Sequence, residues 1–316
     1  MSEHPGGLML VDTPSLYFRA FHGLPQTLVG ADGAPVNAVR GLLDMLAFLV
    51  ELRRPERLVC CFDADWRPAF RVALVPSYKA HRLAHPGAAE EAVPDALSPQ
   101  VPVILDVLDA FGLARAEHEG FEADDVIGTL ATASADGTGV DVVTGDRDLM
   151  QLVDDATAVR VLYVGRGVRR LEVIDQAALA AKYGVSTGPR YADVALLRGD
   201  ASDGLPGVAG IGEKTAAAVV ERFGSAQAAR EAAAAQDPGL GAAVARRLRD
   251  AEHYLDAAAP VVKVVTDIPG LTPTRPDAVP EAPADAEALM ALLQAHNLAA
   301  PATRLARALG WDLLRE

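Results

Sequence analysis

The sequence predicts an α/β fold followed by a helical part, and three observations support this prediction. Three short apolar runs have the near-continuous hydrophobicity of strands that are buried on both faces of a parallel sheet. These runs are residues 8–11, 57–62 and 140–143. Helical periodicity lies between them, at about 36–54, 98–112 and 122–134, as right-handed β–α–β crossovers require. After about residue 190 the strand patterns end and Ala-rich helical segments follow.

The remaining elements follow from the same patterns. A strand pair is expected around 158–164 and 169–174, with a turn at Gly165-Arg166-Gly167. Helices are expected at 191–198, 213–223, 225–235, 240–258 and 284–297, and a loop containing Pro and Asp at 267–285. We therefore predict two domains, an α/β domain over residues 1–190 and a helical domain over 191–316.

The composition is that of a globular protein. Of the 316 residues, 50% are hydrophobic and 23% are charged, which excludes a disordered or fibrous chain. No apolar run approaches the roughly 18 residues of a membrane span. Met1-Ser2-Glu3-His4 lacks the basic start of a signal peptide. The only cysteines, Cys60 and Cys61, are adjacent, so no structural disulfide is expected. We predict a cytoplasmic protein with no membrane partner.

The net charge of −14 is strongly acidic, with a sequence pI of about 4.9. Taken alone, this charge argues against nucleic-acid binding. The argument fails if many of the acids are gathered in one place to hold cations. Whether the net charge argues against nucleic-acid binding therefore depends on where the acids and bases lie in the chain.

Acidic residues follow each of the three predicted parallel strands, namely Asp12, Asp63 and Asp146. Because the carboxyl ends of parallel strands meet at one edge of a sheet, these three carboxylates are expected to converge. The further acids of interest are Glu122, Asp124, Asp125, Asp148, Asp200 and Asp203. Any one of these acids, taken singly, is more often a turn residue or a helix cap.

Turns and helix caps do not readily explain so many acids taken together. Two carboxylates about 4 Å apart repel each other by roughly 4 kcal/mol at an effective dielectric constant of about 20, so a cluster would need cations. Ligands that are all oxygen favour Mg²⁺ or Mn²⁺. Such a site suits two-metal hydrolysis of a phosphodiester.

A basic segment directly follows Asp63. From Trp66 to Ala89 there is no Asp or Glu, and the segment contains Arg67, Arg71, Lys79, His81, Arg82 and His85. A charge run is usually a solvated helix face. Beside a metal site, however, it could hold phosphates. Tyr17, Phe18 and Phe21, which follow Asp12, could stack a terminal base or belong to the core.

The glycine-rich segment from Gly204 to Ala216 is not a P-loop. Gly207 and Gly212 have the required spacing, but Glu213 occupies the position of the P-loop lysine. A hairpin between two helices fits better, with backbone amides and Lys214 facing a phosphate without reading sequence. A glycine-rich turn without a ligand is the alternative.

Several motifs of this chain resemble those of the bacterial 5′-nuclease, or flap endonuclease, family, which includes the N-terminal domain of DNA polymerase I. The most specific motifs are Phe121-Glu122-Ala123-Asp124-Asp125, Thr144-Gly145-Asp146-Arg147-Asp148-Leu149, and Gly199-Asp200-Ala201-Ser202-Asp203 leading into Gly210-Ile211-Gly212-Glu213-Lys214-Thr215-Ala216. Phe70-Arg71 and Tyr78-Lys79-Ala80-His81-Arg82 match the family's basic helical region. The resemblance covers nearly the whole chain and is weakest beyond about residue 265.

The resemblance implies a PIN-like parallel-sheet nuclease domain with a helical arch at about 66–100. It also implies an all-helical C-terminal domain with a helix-three-turn-helix at about 196–223, which grips duplex DNA. The implied activity is metal-dependent hydrolysis of DNA as a 5′-flap endonuclease and 5′-3′ exonuclease. The implied role is flap and RNA-primer removal in DNA replication and repair. The implied substrates are DNA with 5′ flaps, gaps or overhangs, RNA-primed ends included, and a separate DNA polymerase and ligase are expected partners.

The same resemblance assigns roles to individual residues. The expected ligands of two or three Mg²⁺ or Mn²⁺ ions are Asp12, Asp63, Glu122, Asp124, Asp125, Asp146, Asp148, Asp200 and Asp203. Lys79 and Arg82 are expected to contact the scissile phosphate. The expected DNA contacts are Phe18, Arg19, Arg71, Tyr78, Gly210, Gly212, Lys214 and Thr215. A K⁺ ion is expected at the backbone carbonyls of Val208 and Ile211.

Two positions depart from the family pattern. Gly204 stands where the family usually has Asn, which is expected to loosen that turn, and Phe18 stands where Tyr is common. No polymerase region follows, so a stand-alone nuclease that keeps the full acid set is expected. Two alternatives remain open, a DNA-binding accessory protein with little catalysis and a PIN-type RNase.

Overall fold

A six-stranded sheet forms the centre of the first part of the chain, in a computed structural model that describes residues 7–85, 88, 90–134 and 137–311. Its strands are β1 (Leu8–Asp12), β2 (Arg57–Cys61), β3 (Ala114–Ala116), β4 (Val140–Thr144), β5 (Val159–Tyr163) and β6 (Glu172–Ile174). They lie in the order β3-β2-β1-β4-β5-β6, and only the β5–β6 pair is antiparallel. The three predicted parallel strands are therefore adjacent, and the predicted strand pair is β5 and β6.

Successive residues of the central strands belong to two different cores. Leu8 and Leu10 of β1 pack in one core, whereas Met9 and Val11 pack in the other. This two-sided burial explains why the strands are continuously hydrophobic rather than alternating. Cys60 and Cys61 are buried, unpaired thiols that lie in opposite cores, as adjacent strand residues must.

Helices cover both faces of the sheet. The first six are α1 (Thr13–Gly23), α2 (Asn37–Arg53), α3 (Ala69–Leu74), α4 (Gln100–Phe111), α5 (Ala123–Ala133) and α6 (Gln176–Tyr183). Short 3₁₀ turns lie at Ala80–Arg82, Asp148–Leu152 and Val168–Arg170. The predicted helices α2, α4 and α5 are confirmed, whereas α1 and α6 were not predicted. Between residues 66 and 100 the described helices are α3 and the turn at Ala80–Arg82.

The second part of the chain is helical, as expected. Its helices are α7 (Gly188–Arg198), α8 (Glu213–Phe223), α9 (Ala226–Ala234), α10 (Ala242–Asp250), α11 (Glu252–Val262), α12 (Ala286–Ala295) and α13 (Ala299–Ala308). The single helix predicted at 240–258 is wrong, because the backbone leaves the helical region at Ala251 (φ −98°, ψ 11°). No Gly or Pro marks that break in the sequence. The loop predicted at 267–285 contains no helix or strand.

The helices of the second part are divided between the two cores. Residues of α7 to α11 join the core on one face of the sheet, together with α5. In contrast, α12 and α13 pack against α4 and α2 on the other face. The domain boundary near residue 190 stays a prediction. Within the described ranges, no helix is long and apolar enough to cross a membrane.

Candidate active site

An open cleft of about 660 Å³ lies at the carboxyl edge of the sheet. Asp12 ends β1, Asp63 follows β2 and Asp146 follows β4, and the structure brings all three to the cleft wall. The cleft is also lined by Glu122, Asp124 and Asp200. Because β2, β1 and β4 are parallel neighbours, residues far apart in sequence meet along this edge.

Asp12 shows how the fold places a carboxylate in the cleft. Its Oδ1 accepts from the backbone amide of Ser15 (3.1 Å) and caps α1, and its Oδ2 accepts from the Thr144 hydroxyl (2.6 Å). The pKa of Asp12 is raised to about 7. Burial is the main cause and the charges of Asp63 and Asp146 add to it, while the two hydrogen bonds act in the opposite direction. The site therefore penalises a negative charge that no cation compensates.

Asp124 and Asp148 lie in equally unfavourable surroundings for a charge. Burial raises the pKa of Asp124 well above its ordinary value, and Asp12 and Asp146 raise it further. Burial also raises the pKa of Asp148, together with Asp146 and Asp203. The Oδ1 atom of Asp148 is buried without a hydrogen-bond partner. A cation would supply the partner that this oxygen lacks.

The acids are not drawn together around a single point. Among the described residues, no three His, Cys, Asp or Glu side chains form a ready ligand set for one ion. Mutual repulsion of carboxylates accounts for this spread. Mg²⁺ does not require such a cage, since it usually binds one or two carboxylates and completes its shell with water and substrate phosphates.

Glu122 has two cationic partners, Lys79 and Arg71. It accepts hydrogen bonds from the Nζ of Lys79, from Arg71 (2.6 Å) and from the hydroxyl of Tyr78 (2.7 Å). Burial would lower the pKa of Lys79, but Glu122 and Asp203 raise it above its ordinary value. Lys79 is therefore a charged ammonium that lines the cleft beside the acids.

The structure does not place Arg71 and Tyr78 on the surface where the predicted DNA contacts would require them, because both side chains are buried. Arg71 is 2% exposed and Tyr78 is 3% exposed. The guanidinium of Arg71 donates to both carboxylate oxygens of Asp125 (2.6 and 2.7 Å) and to the carbonyl of Val261 (3.2 Å). Neither side chain can reach a strand of DNA from this position.

The structure does not bring Asp125, a predicted metal ligand, to the cleft with the other acids. Besides the two bonds from Arg71, its oxygens accept from the backbone amides of Glu122 (3.2 Å) and Val265 (2.8 Å). Asp125 is fully buried and does not line the cleft. Its carboxylate is committed to holding the start of α5 in place.

Arg82 and Asp203 join the basic segment to the loop after α7. The guanidinium of Arg82 donates to Asp203 (2.9 Å) and to the carbonyl of Ser202 (2.8 Å). Nearby, the Ser77 hydroxyl donates to the carbonyl of Gly204 (2.9 Å). Arg82 lines the cleft, and Asp203 lies just behind that wall, 8% exposed.

Gly204 does not loosen this loop, contrary to expectation. Its φ is +71°, in the left-handed region, and a Cβ placed there would lie 2.3 Å from the carbonyl oxygen of Ser77. Glycine thus permits a close approach between the loop and the basic segment.

Aromatic and cationic side chains complete the cleft wall. Phe18 lies on it, stacked against Tyr17 with ring centroids 5.2 Å apart. The guanidinium of Arg19 lies against Gly145, and its Nε is buried without a partner. Further lining residues to which the sequence assigned no role include Trp66, Glu91, Arg147, Tyr163 and Arg198. Three of them could have been found, since Trp66 follows Asp63 closely and Arg147 and Arg198 adjoin the acid motifs.

The glycine-rich segment forms the predicted turn between α7 and α8. Gly212 and Lys214 are exposed, and Thr215 is half-buried at the start of α8. The carbonyl of Val208 accepts from the amide of Ile211 (2.9 Å), and that of Gly210 accepts from Arg247 (3.0 Å). Glu213, at the position of a P-loop lysine, accepts from Arg198 (3.0 Å).

The chemistry available in this cleft is hydrolysis of a phosphate-bearing substrate. Its carboxylates can hold cations, Lys79 and Arg82 can meet phosphates, and an exposed helical hairpin stands next to it. These features define the class of the protein as a nuclease with a PIN-like α/β domain.

Comparison with known proteins identifies the family. The model of the 5′-3′ exonuclease N-terminal resolvase-like domain matches residues 7–184, and that of the 5′-3′ exonuclease C-terminal SAM fold matches residues 187–286. The chain is 56% identical to a 5′-3′ exonuclease of Streptomyces coelicolor over 302 residues, which covers 94% of this chain and 98% of the relative. It is 47% identical to a 5′-3′ exonuclease of Mycobacterium tuberculosis over 310 residues, with 96% and 97% covered.

The fold is also that of solved flap endonucleases. The bacteriophage T5 D15 flap endonuclease, solved as a pseudo-enzyme-product complex with DNA and metal ions, superposes with a TM-score of 0.64 at 18% identity. The match covers 83% of this chain and 90% of that one. The chain therefore belongs to the 5′-3′ exonuclease family, and the predicted class of enzyme, a 5′ nuclease, is confirmed.

Proposed function

We propose that this 5′ nuclease cuts DNA at 5′ flaps and removes nucleotides from 5′ ends at gaps and overhangs, RNA-primed ends included. The observation that carries the proposal is the acid-lined cleft, in which burial and like charges raise the pKa of Asp12 and Asp124. The pKa of Asp148, whose backbone amide donates to the cleft residue Asp146 (3.0 Å), is raised for the same reasons. A site built this way is matched to bound cations and to a polyanionic substrate.

The proposed ions are two or three Mg²⁺ or Mn²⁺. The unpartnered Oδ1 of Asp148 and the all-oxygen donor set fit such ions. The residues that would hold them are Asp12, Asp63, Glu122, Asp124, Asp146, Asp148, Asp200 and Asp203, without Asp125. When bound, divalent ions supply a nucleophilic water at neutral pH and offset charge on the reacting phosphate.

The remaining cleft residues would bind and orient the substrate. Lys79 stays protonated because of its acidic neighbours, so it can hold the scissile phosphate once Glu122 turns to an ion. Arg82 would contact the same phosphate from the rim. Phe18 and Trp66 offer ring faces for the terminal bases. Arg19, beside Gly145, would meet the strand near Asp146.

We also propose that the second domain, beginning near residue 190, grips the duplex through the turn before α8. The exposed backbone at Gly210 and Gly212, with Lys214 and Thr215, would contact phosphates without reading sequence. A K⁺ ion at the carbonyls of Val208 and Ile211 completes the proposed contact.

In the cell, this activity would remove flaps and RNA primers during DNA replication and repair. The products of a DNA polymerase would be its substrates, and a ligase would seal the nicks that it leaves. A cytoplasmic location is proposed for this activity.

A panel of labelled substrates tests this proposal. The 5′-flap duplex should be cut near its junction in the presence of Mg²⁺ or Mn²⁺, and EDTA should stop the reaction. Single-stranded RNA of the same length should be cut far more slowly. Faster cutting of the RNA would favour the PIN-type RNase. Tight flap binding without cutting under any divalent ion would favour the accessory protein.

A further inference from the structure

A second large groove runs along the outer face of α2, between that helix, α13 and the turn at Val168–Arg170. Its volume is about 1460 Å³. Five arginines line it, namely Arg53, Arg54, Arg169, Arg304 and Arg307. Two carboxylates, Asp44 and Glu51, lie among them. This cationic excess is notable in a chain whose net charge is −14.

Some of the groove's positive charge is already compensated within the chain. Arg304 donates to Asp44 (2.7 Å), and Arg53 donates to Asp141 (2.8 Å). Arg54 and Arg307 are exposed, and within the part of the chain that the structure describes neither guanidinium has an ion pair or hydrogen bond. These two guanidiniums can therefore meet a ligand without breaking an internal contact.

Apolar side chains also line the groove. The guanidinium of Arg169 lies over the ring of Phe48, 5.4 Å from its centroid and within the roughly 6 Å of a cation–π contact. Leu52, one turn further along α2, is 51% exposed. A lining that combines arginines with the accessible side chains of Leu52 and Phe48 suits a ligand that carries both carboxylates and apolar side chains.

One end of the groove lies away from the cleft. Arg53 and Arg54 close α2 just before β2 begins, and Asp141, the partner of Arg53, is the second residue of β4. That end therefore lies at the amino edge of the sheet, whereas the cleft lies at the carboxyl edge. A ligand bound there would leave the cleft open.

We propose that this groove binds an acidic segment of a partner protein that also carries Leu or Phe side chains. Guanidiniums pair with carboxylates through two parallel hydrogen bonds, and Leu52 with Phe48 would receive the apolar side chains. A nucleic-acid strand fits less well, because its phosphates would meet the arginines but it carries no aliphatic side chain to cover Leu52. The inference goes beyond the proposed nuclease function and does not rest on it.

Fluorescence anisotropy with a short labelled peptide that alternates acidic residues with Leu and Phe tests the proposal. Arg307→Glu and Leu52→Ser should each weaken binding, the first by roughly tenfold or more because it removes a charge-assisted contact. Arg166→Glu is the matched control, since that side chain is 77% exposed and lies outside the groove. Arg54→Gln serves in place of Arg307→Glu if the latter disturbs α13 in a melting curve.

The outcomes separate the possible ligands. Weaker peptide binding in both groove variants, with the control and flap cleavage unchanged, supports the proposal. The proposal is overturned if the peptide does not bind the unaltered protein, or if the control variant loses as much binding as the groove variants. It is also overturned if an oligothymidine displaces the peptide and binds in a way that requires Arg307 but not Leu52. Because flap cleavage is measured on the same variants, failure of this proposal is distinct from failure of the nuclease proposal.

Discussion

The guanidinium of Arg71 joins three segments of the chain at one buried point. It lies on α3, donates to Glu122 and Asp125 at the start of α5, and reaches the carbonyls of Val261 and Lys263 at the end of α11. These contacts exclude water, so the charges depend on one another for compensation. Arg71 therefore fixes the part of the cleft wall that carries Glu122.

Replacing this guanidinium should cost much of the protein's stability. Arg71→Met is expected to lower the free energy of unfolding by about 3–5 kcal/mol at neutral pH, because Asp125 is left buried without a counter-charge and Glu122 keeps only Lys79. The orphaned carboxylates then have raised folded-state pKa values, so the deficit should shrink as the pH falls and they protonate. Urea denaturation measures this, with Arg166→Met as the exposed control. A loss below about 1 kcal/mol would show that Arg71 is not needed to compensate the buried carboxylates.

Asp12 makes the stability of the metal-free protein depend on pH in an unusual direction. Its pKa is raised by burial from 3.8 to about 7, so the folded state holds the proton more tightly than the unfolded state. The stabilisation is fully present below the unfolded value and is lost as the pH rises through about 7. In EDTA, the melting temperature should therefore fall between about pH 5 and about pH 8, and Asp12→Asn should flatten that fall. A fall of equal size in Asp12→Asn would exclude Asp12 as its source.

The acids of the cleft could be predicted from sequence because each follows a recognisable strand or motif. The burial of Arg71, Tyr78 and Asp125 could not. The carbonyl that receives Arg71 belongs to Val261, 190 residues away in sequence. A motif shows which residue types occur together, but the packing of a distant helix decides which of them reaches solvent.

The loop after α7 and the basic segment form one connected unit at the cleft rim. Arg82 bonds to Ser202 and Asp203, and Lys79 donates its backbone amide to the carbonyl of Asp203 (2.9 Å). Gly204 makes this approach possible, as a Cβ there would collide with the carbonyl of Ser77. The position of Lys79 and Arg82 in the cleft thus depends on the second part of the chain.

Gly204→Asn, which restores the residue common in the family, should destabilise this protein. The added side chain overpacks the contact with Ser77, and a cost of about 1–3 kcal/mol is expected. Gly212→Asn is the matched control, since a Cβ there meets no atom within 4 Å and φ is −90°. Thermal melting of both variants gives the comparison. Equal melting temperatures would show that the rim tolerates a side chain at Gly204.

The elements that could be predicted are those with strong periodicity. The strands β1, β2 and β4 and the helices α2, α4 and α5 lie within a few residues of their expected bounds. The three-residue β3 is too short to produce a pattern. The helix α13 was missed because its position is decided by packing on α2, from which it is separated by more than two hundred residues.

The distribution of charge follows the architecture of the protein. Acids are concentrated at the carboxyl edge of the sheet, where Asp12, Asp63 and Asp146 meet, and arginines line the groove on α2. The net charge of −14 therefore does not exclude a DNA substrate, because the acids of the cleft are placed to hold cations. The order of the strands, which brings β2, β1 and β4 together, produces this arrangement.

The first experiment is cleavage of a 5′-labelled flap duplex by Asp148→Asn, with Mn²⁺ binding measured calorimetrically on the same protein. It asks whether the acids at the carboxyl edge of the sheet hold the ions that cleavage needs. Asp106→Asn, an exposed acid on α4, is the matched control. We expect Asp148→Asn to weaken ion binding and to slow cleavage by about a hundredfold or more, while the flap still binds. Normal cleavage and ion binding in Asp148→Asn would contradict a metal-dependent reaction at this edge of the sheet.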